Sequence, residues 1–170
     1  MLIEIDRVGT TPKHIDTLIP PGEIDLDDED IDLRGDVSFR GEAVKEGERV
    51  KIAGTVAFAA EIDCTRCLKP IPRSFLFNFD VSYVRPEYFG TAREKEVTGE
   101  DLSDDIAEFN VIDLTEVVRE QILLQLPEKE LCDKECKGLC PKCGSDRNLI
   151  DCNCEDEELD PRWLALKDLK

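Results

Sequence analysis

The sequence predicts an α+β fold: an antiparallel β-sheet or partial barrel, one helix packed on it, and a cysteine-rich C-terminal module. Three observations carry that prediction. Three consecutive stretches between Ile31 and Tyr83 alternate apolar and polar residues with period two, the pattern of half-buried strands. One segment, Asp113 to Leu126, has helical spacing between a capping aspartate and a proline stop. Six of the eight cysteines lie between Cys132 and Cys154. The expected division is a sheet domain over 1–127 with its capping helix at 113–126, and a cysteine-rich module over 128–170 docked on the hairpin tip at 64–67.

At the N-terminus, Leu2 to Val8 alternates and predicts a short strand. Residues 9–22 hold Gly9, Pro12, Pro20 and Pro21 and read as a loop. Glu23 to Asp32 holds seven carboxylates and no base, which predicts a solvated, partly mobile connector. It lacks the glycine and terminal glutamate spacing of a calcium-binding EF-hand. Ile31, Leu33, Val37 and Phe39 share one face of the first long segment. Val50, Ile52, Val56, Phe58 and Ile62 share a face of the second, and Phe75, Phe77, Phe79, Val81 and Tyr83 of the third. Lys45-Glu46-Gly47-Glu48 supplies the first turn. Cys64-Thr65-Arg66-Cys67 occupies the second, at the tip of a hairpin.

Residues 85–105 read as a polar loop, and Ile106 to Ile112 as a short strand. Asp113 and Glu116 have capping-box spacing, in which the aspartate accepts first-turn amides and the glutamate reaches back to the cap. The helix buries Leu114, Val117, Val118, Ile122 and Leu126, and Pro127 ends it. A final short helix from about Pro161 to Leu169 offers Trp163, Leu164 and Leu166 for packing.

The charge of -18 at pH 7 repels nucleic-acid backbone at long range and favours basic partners, so DNA is not an expected ligand. The N-terminus lacks the cationic and apolar regions of a secretory signal. No apolar run approaches the length of about 18 residues that a membrane span needs. The expected compartment is the cytoplasm, where spaced cysteines serve metals more often than disulfides.

Four thiolates hold zinc tetrahedrally, and two intervening residues let both sulfurs of a tight turn face one ion. Cys140-Pro141-Lys142-Cys143-Gly144 has that form, with glycine ready for a positive φ. Cys64-Thr65-Arg66-Cys67 has the spacing but is followed by Leu68. Eight ligands predict two zinc ions. One division sets Cys140, Cys143, Cys152 and Cys154 around one ion and Cys64, Cys67, Cys132 and Cys136 around the other. The rival joins the two CxxC turns and leaves Cys132, Cys136, Cys152 and Cys154 together. The first is preferred, because a three-residue gap suits Cys132 and Cys136 leaving a helix end with both sulfurs on one side.

The competing chemistry is a CxxC thiol-disulfide redox protein. Such motifs usually open a helix, whereas Pro70 and Pro72 follow this one. Zinc held by four sulfurs keeps no position for water, so no enzyme is expected. His14, the single histidine, lies in the predicted loop without a partner. No phosphate-binding glycine loop or nucleophile-elbow motif occurs.

Acids and bases balance between Cys132 and Cys154, where Lys134, Lys137, Lys142 and Arg147 lie. Around the first CxxC, Arg66, Lys69 and Arg73 outnumber Asp63. These bases either offset the charge of about -2 on each zinc–thiolate centre or touch RNA phosphates. The candidate RNA contacts are Arg66, Lys69, Arg73, Lys137, Lys142 and Arg147.

CTRCL closing a strand, a capped helix ending in LP, CKGLCPKCGSDRNLIDCNCE and a terminal DPRWLALKDL resemble the YceD family. This is the bacterial and plastid group described as large ribosomal RNA subunit accumulation proteins. The resemblance spans roughly Cys64 to Leu169. It departs at Asp146-Arg147-Asn148-Leu149, where the family carries an Asn-Leu-Asn-like segment at a position that is not a ligand. It implies a role in 23S rRNA accumulation and large-subunit biogenesis. The implied partner is 23S rRNA or a pre-50S particle, reached directly or through a basic ribosomal or assembly protein. It also implies that Cys64, Cys67, Cys132 and Cys136 form the more general site, since some members lack the closing quartet.

Overall fold

Period-two alternation over residues 49–63 and 70–84 produces the two longest strands of the protein. The computed structural model describes residues 1–27, 30–88 and 104–154. In chain order its elements are β1 (Leu2–Glu4), β2 (Lys13–Ile19), β3 (Ile31–Leu33), β4 (Val37–Glu46), β5 (Arg49–Asp63), β6 (Pro70–Val84), β7 (Asp104–Ile106), β8 (Val111–Asp113) and α1 (Leu114–Gln125). Short 3-10 turns lie at Ile5–Arg7, Pro21–Glu23, Pro86–Tyr88 and Glu108–Asn110.

The main sheet runs β2-β4-β5-β6-β7, with β3 on β5 beside β4, and β1 pairs separately with β8. All pairs are antiparallel except β6–β7, which is parallel. Among the described residues β2 and β7 stand at opposite ends of the main sheet and do not pair, so no closed barrel forms. The fold is a mixed, mainly antiparallel sheet with one helix.

The alternation places Val37, Phe39, Val50, Ile52, Val56, Phe58 and Ile62 on one buried face. Leu114, Val117, Val118 and Ile122 of α1 join them in a single core with Ile3, Ile5 and Ile112. Phe75, Phe77, Phe79 and Val81 belong to the same face but stay partly exposed, because among the described residues β6 has a neighbour on one side only over most of its length.

Gly41 and Gly54 face each other across β4 and β5. A Cβ on Gly41 would sit 2.2 Å from the Ala53 carbonyl oxygen and 2.7 Å from the Phe39 ring. One on Gly54 would sit 2.6 Å from that ring. The paired glycines give the phenylalanine its place against the backbone, and the ring closes the gap toward Phe79, whose centroid lies 5.8 Å away.

Several expectations need correction. Residues 9–22 contain strand β2 rather than only a loop. Pro12 and Pro20 bracket the strand without entering it, and Ile15 and Ile19 are buried on its inner side. The first long segment is two strands, since Gly35 at φ 85° breaks the edge between β3 and β4. The acidic connector is docked through Ile24 and Leu26, both buried, while Arg119 of α1 bonds the Asp25 carbonyl and the Asp27 carboxylate. Its described acids are exposed, but Ile24 and Leu26 between them serve the core.

Ile106 to Ile112 is not one strand. The left-handed residues Phe109 and Asn110 separate β7 from β8. The expected strand over Leu2–Val8 ends at Glu4 and becomes a 3-10 turn. Asp113 caps α1 by accepting from the Thr115 amide at 3.0 Å, whereas Glu116 accepts from Arg119 at 2.9 Å instead of reaching back. His14 lies on β2, exposed and 3.7 Å from Glu42. The predicted helix at 161–169, with Trp163, Leu164 and Leu166, lies outside the described residues.

Candidate metal centres

The β5–β6 hairpin turns at Cys64–Lys69, where the Cys64 amide donates to the Lys69 carbonyl at 2.9 Å. Inside it the Leu68 amide donates back to the Cys64 carbonyl at 2.9 Å. The second turn repeats this bond, Gly144 to Cys140 at 2.8 Å. Gly144 takes φ 71° and Leu68 takes φ 55°, so both CxxC turns share one backbone form although only one carries the expected glycine. A left-handed leucine costs about 1–2 kcal/mol. Leu68→Gly is therefore expected to stabilise the metal-loaded protein by up to about 1 kcal/mol, net of the glycine's added unfolded-state freedom. Urea denaturation of the two proteins measures it.

Cys132 and Cys136 do not leave a helix end. α1 stops at Gln125, and the two cysteines flank a turn in which the Asp133 side chain accepts the Glu135 amide and its carbonyl accepts the Cys136 amide. That turn brings both sulfurs to the hairpin tip. Cys64 Sγ lies 3.9 Å from Cys136 Sγ, and Cys67 Sγ lies 3.6 Å from Cys132 Sγ. An ion with Zn–S bonds of about 2.3 Å needs sulfurs about 3.8 Å apart.

The structure gathers the thiols as Cys64, Cys67, Cys132 and Cys136, and as Cys140, Cys143, Cys152 and Cys154, each set within 4.8 Å. The two CxxC turns do not share a cluster. Each set could hold a metal ion. In the first, Cys64, Cys67 and Cys136 are buried with Ile71 beneath Leu131 and Leu139, and Cys132 is exposed. The second is more open, with only Cys140 buried.

The chain between the tip and the module is stitched by backbone bonds. Thr65 donates to the Glu130 carbonyl at 2.9 Å and Leu139 to the Arg66 carbonyl at 3.0 Å. Arg66 Nη1 donates to the Cys136 carbonyl at 2.7 Å. Gly138, at φ 73°, lies so close that a Cβ there would be 2.9 Å from the Arg66 carbonyl.

Asn148 was legible only as a non-ligand, yet it ties the loop between Cys143 and Cys152 to the first set. Its Nδ2 donates to Cys136 Sγ at 3.4 Å, while its Oδ1 accepts the Lys137 amide at 2.8 Å. Asp146 Oδ1 accepts from that Nδ2 at 2.7 Å and orients it. The Asp-x-Asn spacing, common in turns closed by side chains, was the available signal.

The thiols compete for negative charge. Burial opposes the Cys64 thiolate, but the Cys132, Arg66 and Cys67 amides outweigh it and bring its pKa down to about 6. Cys132 is pushed up to about 12, chiefly by the sulfurs of Cys67 and Cys136. The Lys69 amide favours the Cys67 thiolate, yet burial and the Cys64 and Cys136 sulfurs raise that thiol overall. In the second set Ser145 brings Cys143 down to about 6, Cys152 is lowered through Cys140 and the Cys154 amide, and Cys154 is pushed up to about 12 beside Cys143. A divalent cation relieves that competition.

Metal uptake at pH 7 is therefore expected to expel protons, with Cys67 and Cys132 at the first set and Cys154 at the second among the thiols that lose them. Affinity should fall as pH falls. Without metal, Cys64, lowered from 9.0, contributes stability that is present above 9 and lost through about pH 6. Cys132, raised from 9.0, contributes stability present below 9 and lost as pH rises through about 12. Calorimetric titration with zinc in two buffers of different ionisation heat counts the released protons.

Of the candidate RNA-contacting bases, two are engaged within the fold: Arg66 at the Cys136 carbonyl, and Arg73 with Glu130, Nε to Oε1 at 2.6 Å. Lys69, Lys137, Lys142 and Arg147 are exposed and make no ion pair among the described residues.

The family model described as "Large ribosomal RNA subunit accumulation protein YceD" matches residues 52–170. The Mycobacterium tuberculosis H37Rv protein Rv2926c is 30% identical over 173 residues, covering 99% of this chain and 81% of its own length. Bacillus subtilis YlbN is 30% identical over 116 residues, 68% of this chain and 63% of its own. A chloroplastic YCED homolog 1 of Arabidopsis thaliana, named a large ribosomal RNA subunit accumulation protein, is 35% identical over 63 residues, 37% of this chain and 20% of its own. No solved structure matches the chain. No helix among the described residues is long and apolar enough to cross a membrane. With the family model covering both CxxC turns and everything between them, the chain belongs to the YceD family of large ribosomal RNA subunit accumulation proteins.

Proposed function

We propose that each cysteine tetrad binds one zinc ion, and that the loaded chain is a non-enzymatic cytoplasmic factor supporting 23S rRNA accumulation and large ribosomal subunit biogenesis. The observation that carries this reading is the gathering of eight thiols into two four-sulfur sets in a chain of this family. Four sulfurs complete a tetrahedral zinc ion and leave no open position, which suits structure rather than catalysis. On this reading residues 128–170 form a zinc module held to the tip of the sheet domain, residues 1–127, by the first ion.

The net charge of -18 favours a basic ribosomal or assembly protein as the immediate partner. A second reading, direct contact with 23S rRNA or a pre-50S particle, is supported by the exposed Lys69, Lys137, Lys142 and Arg147. Metal analysis of the native chain should find about two zinc ions, with its thiols unreactive until the metal is removed. Absence of zinc with freely reactive thiols would favour the redox reading instead. Capture of basic proteins that survives nuclease and is dissolved by salt supports the protein partner. Weakened rRNA binding after charge reversal at Lys69 and Lys142 supports direct contact.

A further inference from the structure

Among the described residues the sheet leaves one long edge without a neighbour. β7 pairs with β6 only at Ser82–Val84, and no other described strand lies on that side. The direction of the free backbone groups follows from two positions. Pro72 sits opposite Glu61 in the β5–β6 ladder but has no N–H to give it, and Val84, of the same parity, accepts the Ala107 amide on the β7 side at 2.9 Å. Even-numbered residues of β6 therefore aim their N–H and C=O away from β5. Over Ser74, Leu76, Asn78 and Asp80 these groups have no partner among the described residues.

Native edges are commonly blunted by proline or lysine. Pro70 and Pro72 do this near the cysteine tip, but residues 74–80 carry neither. Beside the free edge, on the inner face, lies the partly buried row Phe75, Phe77 and Phe79. Each ring is anchored from the core side: Phe75 stacks on Phe58 at 4.6 Å, Phe77 meets Phe58 edge-on at 6.4 Å, and Phe79 meets Phe39 at 5.8 Å. All three rings stay partly exposed on that face. Leu76, 75% exposed, marks the opposite face of the same edge.

We propose that β6 between Ser74 and Asp80 is a strand-addition site for an extended, basic segment of a partner protein with apolar residues at alternate positions. Backbone bonds to the even-numbered residues supply affinity, and alternate apolar side chains covering Phe75, Phe77 and Phe79 supply selectivity. The basic character follows from the net charge of -18, since the one acid on the edge, Asp80, already pairs with Lys51 at 3.3 Å. The same charge opposes a second copy of this chain and a phosphate backbone at that edge. The inference rests on, and deepens, the protein-partner reading.

The test uses the full zinc-loaded chain and a synthetic peptide of about eight residues alternating lysine and valine. A peptide of the same composition with its lysines and valines in separate blocks controls for simple charge attraction. Amide exchange read by NMR should show protection gained at Ser74, Leu76, Asn78 and Asp80, since their odd-numbered neighbours are already bonded to β5. Leu76→Pro removes one outward N–H without touching the β5 ladder, as Pro72 does natively, and should weaken alternating-peptide binding by on the order of tenfold. Its zinc content and melting temperature check that it folds. Equal binding of the block peptide, protection elsewhere, or binding unchanged by Leu76→Pro at full zinc content would overturn the proposal. So would protection of the edge by polyuridine RNA or by self-association. If Leu76→Pro still captures basic proteins after nuclease, the edge fails while the protein-partner reading stands; if nuclease abolishes capture by the unaltered chain, that reading itself fails.

Discussion

Replacing Cys64 with serine is expected to lower bound zinc from about two ions per chain to about one and to destabilise the fold by on the order of 4 kcal/mol. The magnitude follows from position. Cys64 is 0% exposed, takes the Cys132 amide at 3.4 Å, and lies 3.9 Å from Cys136. Its loss opens the first tetrad and leaves Cys67, Cys132 and Cys136 without a fourth ligand. The bonds from Thr65 to Glu130 and from Leu139 to Arg66 depend on the same junction, so amide exchange at Thr65 and Leu139 should accelerate. Cys154→Ser is the useful contrast. Cys154 is exposed in a local cluster, so it should cost one zinc ion while those two amides stay protected. If Cys64→Ser loosened only residues 140–154, the division between the tetrads would be wrong.

Gly54→Val should be nearly as damaging, at about 3 kcal/mol or more, without any change in zinc stoichiometry. The added Cβ alone would meet the Phe39 ring at 2.6 Å and the Arg40 carbonyl at 2.7 Å. The ring is fully buried and the carbonyl is backbone, so neither can yield cheaply. Intrinsic strand preference predicts the opposite sign, because valine favours strands and glycine does not. Urea denaturation with parallel metal analysis separates this core effect from the metal effect of Cys64→Ser. Gly54→Val combined with Phe39→Leu should recover part of the loss, since the smaller side chain vacates the space above Gly41 and Gly54.

The long strands were legible because period two survives in Val50 to Ile62 and Phe75 to Tyr83, and because one face of each is apolar. The capping aspartate and Pro127 bounded α1 correctly for the same local reason. What failed was short or mixed in character. In β2 the prolines bordering Lys13–Ile19 masked the alternation of Ile15 and Ile19. In the acidic connector, the carboxylates hid Ile24 and Leu26. The parallel β6–β7 pair had no sequence mark, because its three-residue partner strand carries too few positions to show a period.

For the candidate site, cysteine identity and spacing determined by themselves that two four-sulfur sets were available, because CxxC turns depend only on neighbouring residues. The grouping of those sulfurs was decided by tertiary structure. Cys64 and Cys132 are separated by 68 residues, and no local pattern specifies which distant turn meets the hairpin tip. The junction that holds them together combines backbone bonds, Thr65 with Glu130 and Leu139 with Arg66, with the Arg66 side chain on the Cys136 carbonyl and the packing of Leu131 and Leu139. Asn148 likewise gained its place against Cys136 only once both turns were folded. Local chemistry is written in adjacent residues, whereas the pairing of distant segments depends on the geometry of the whole sheet.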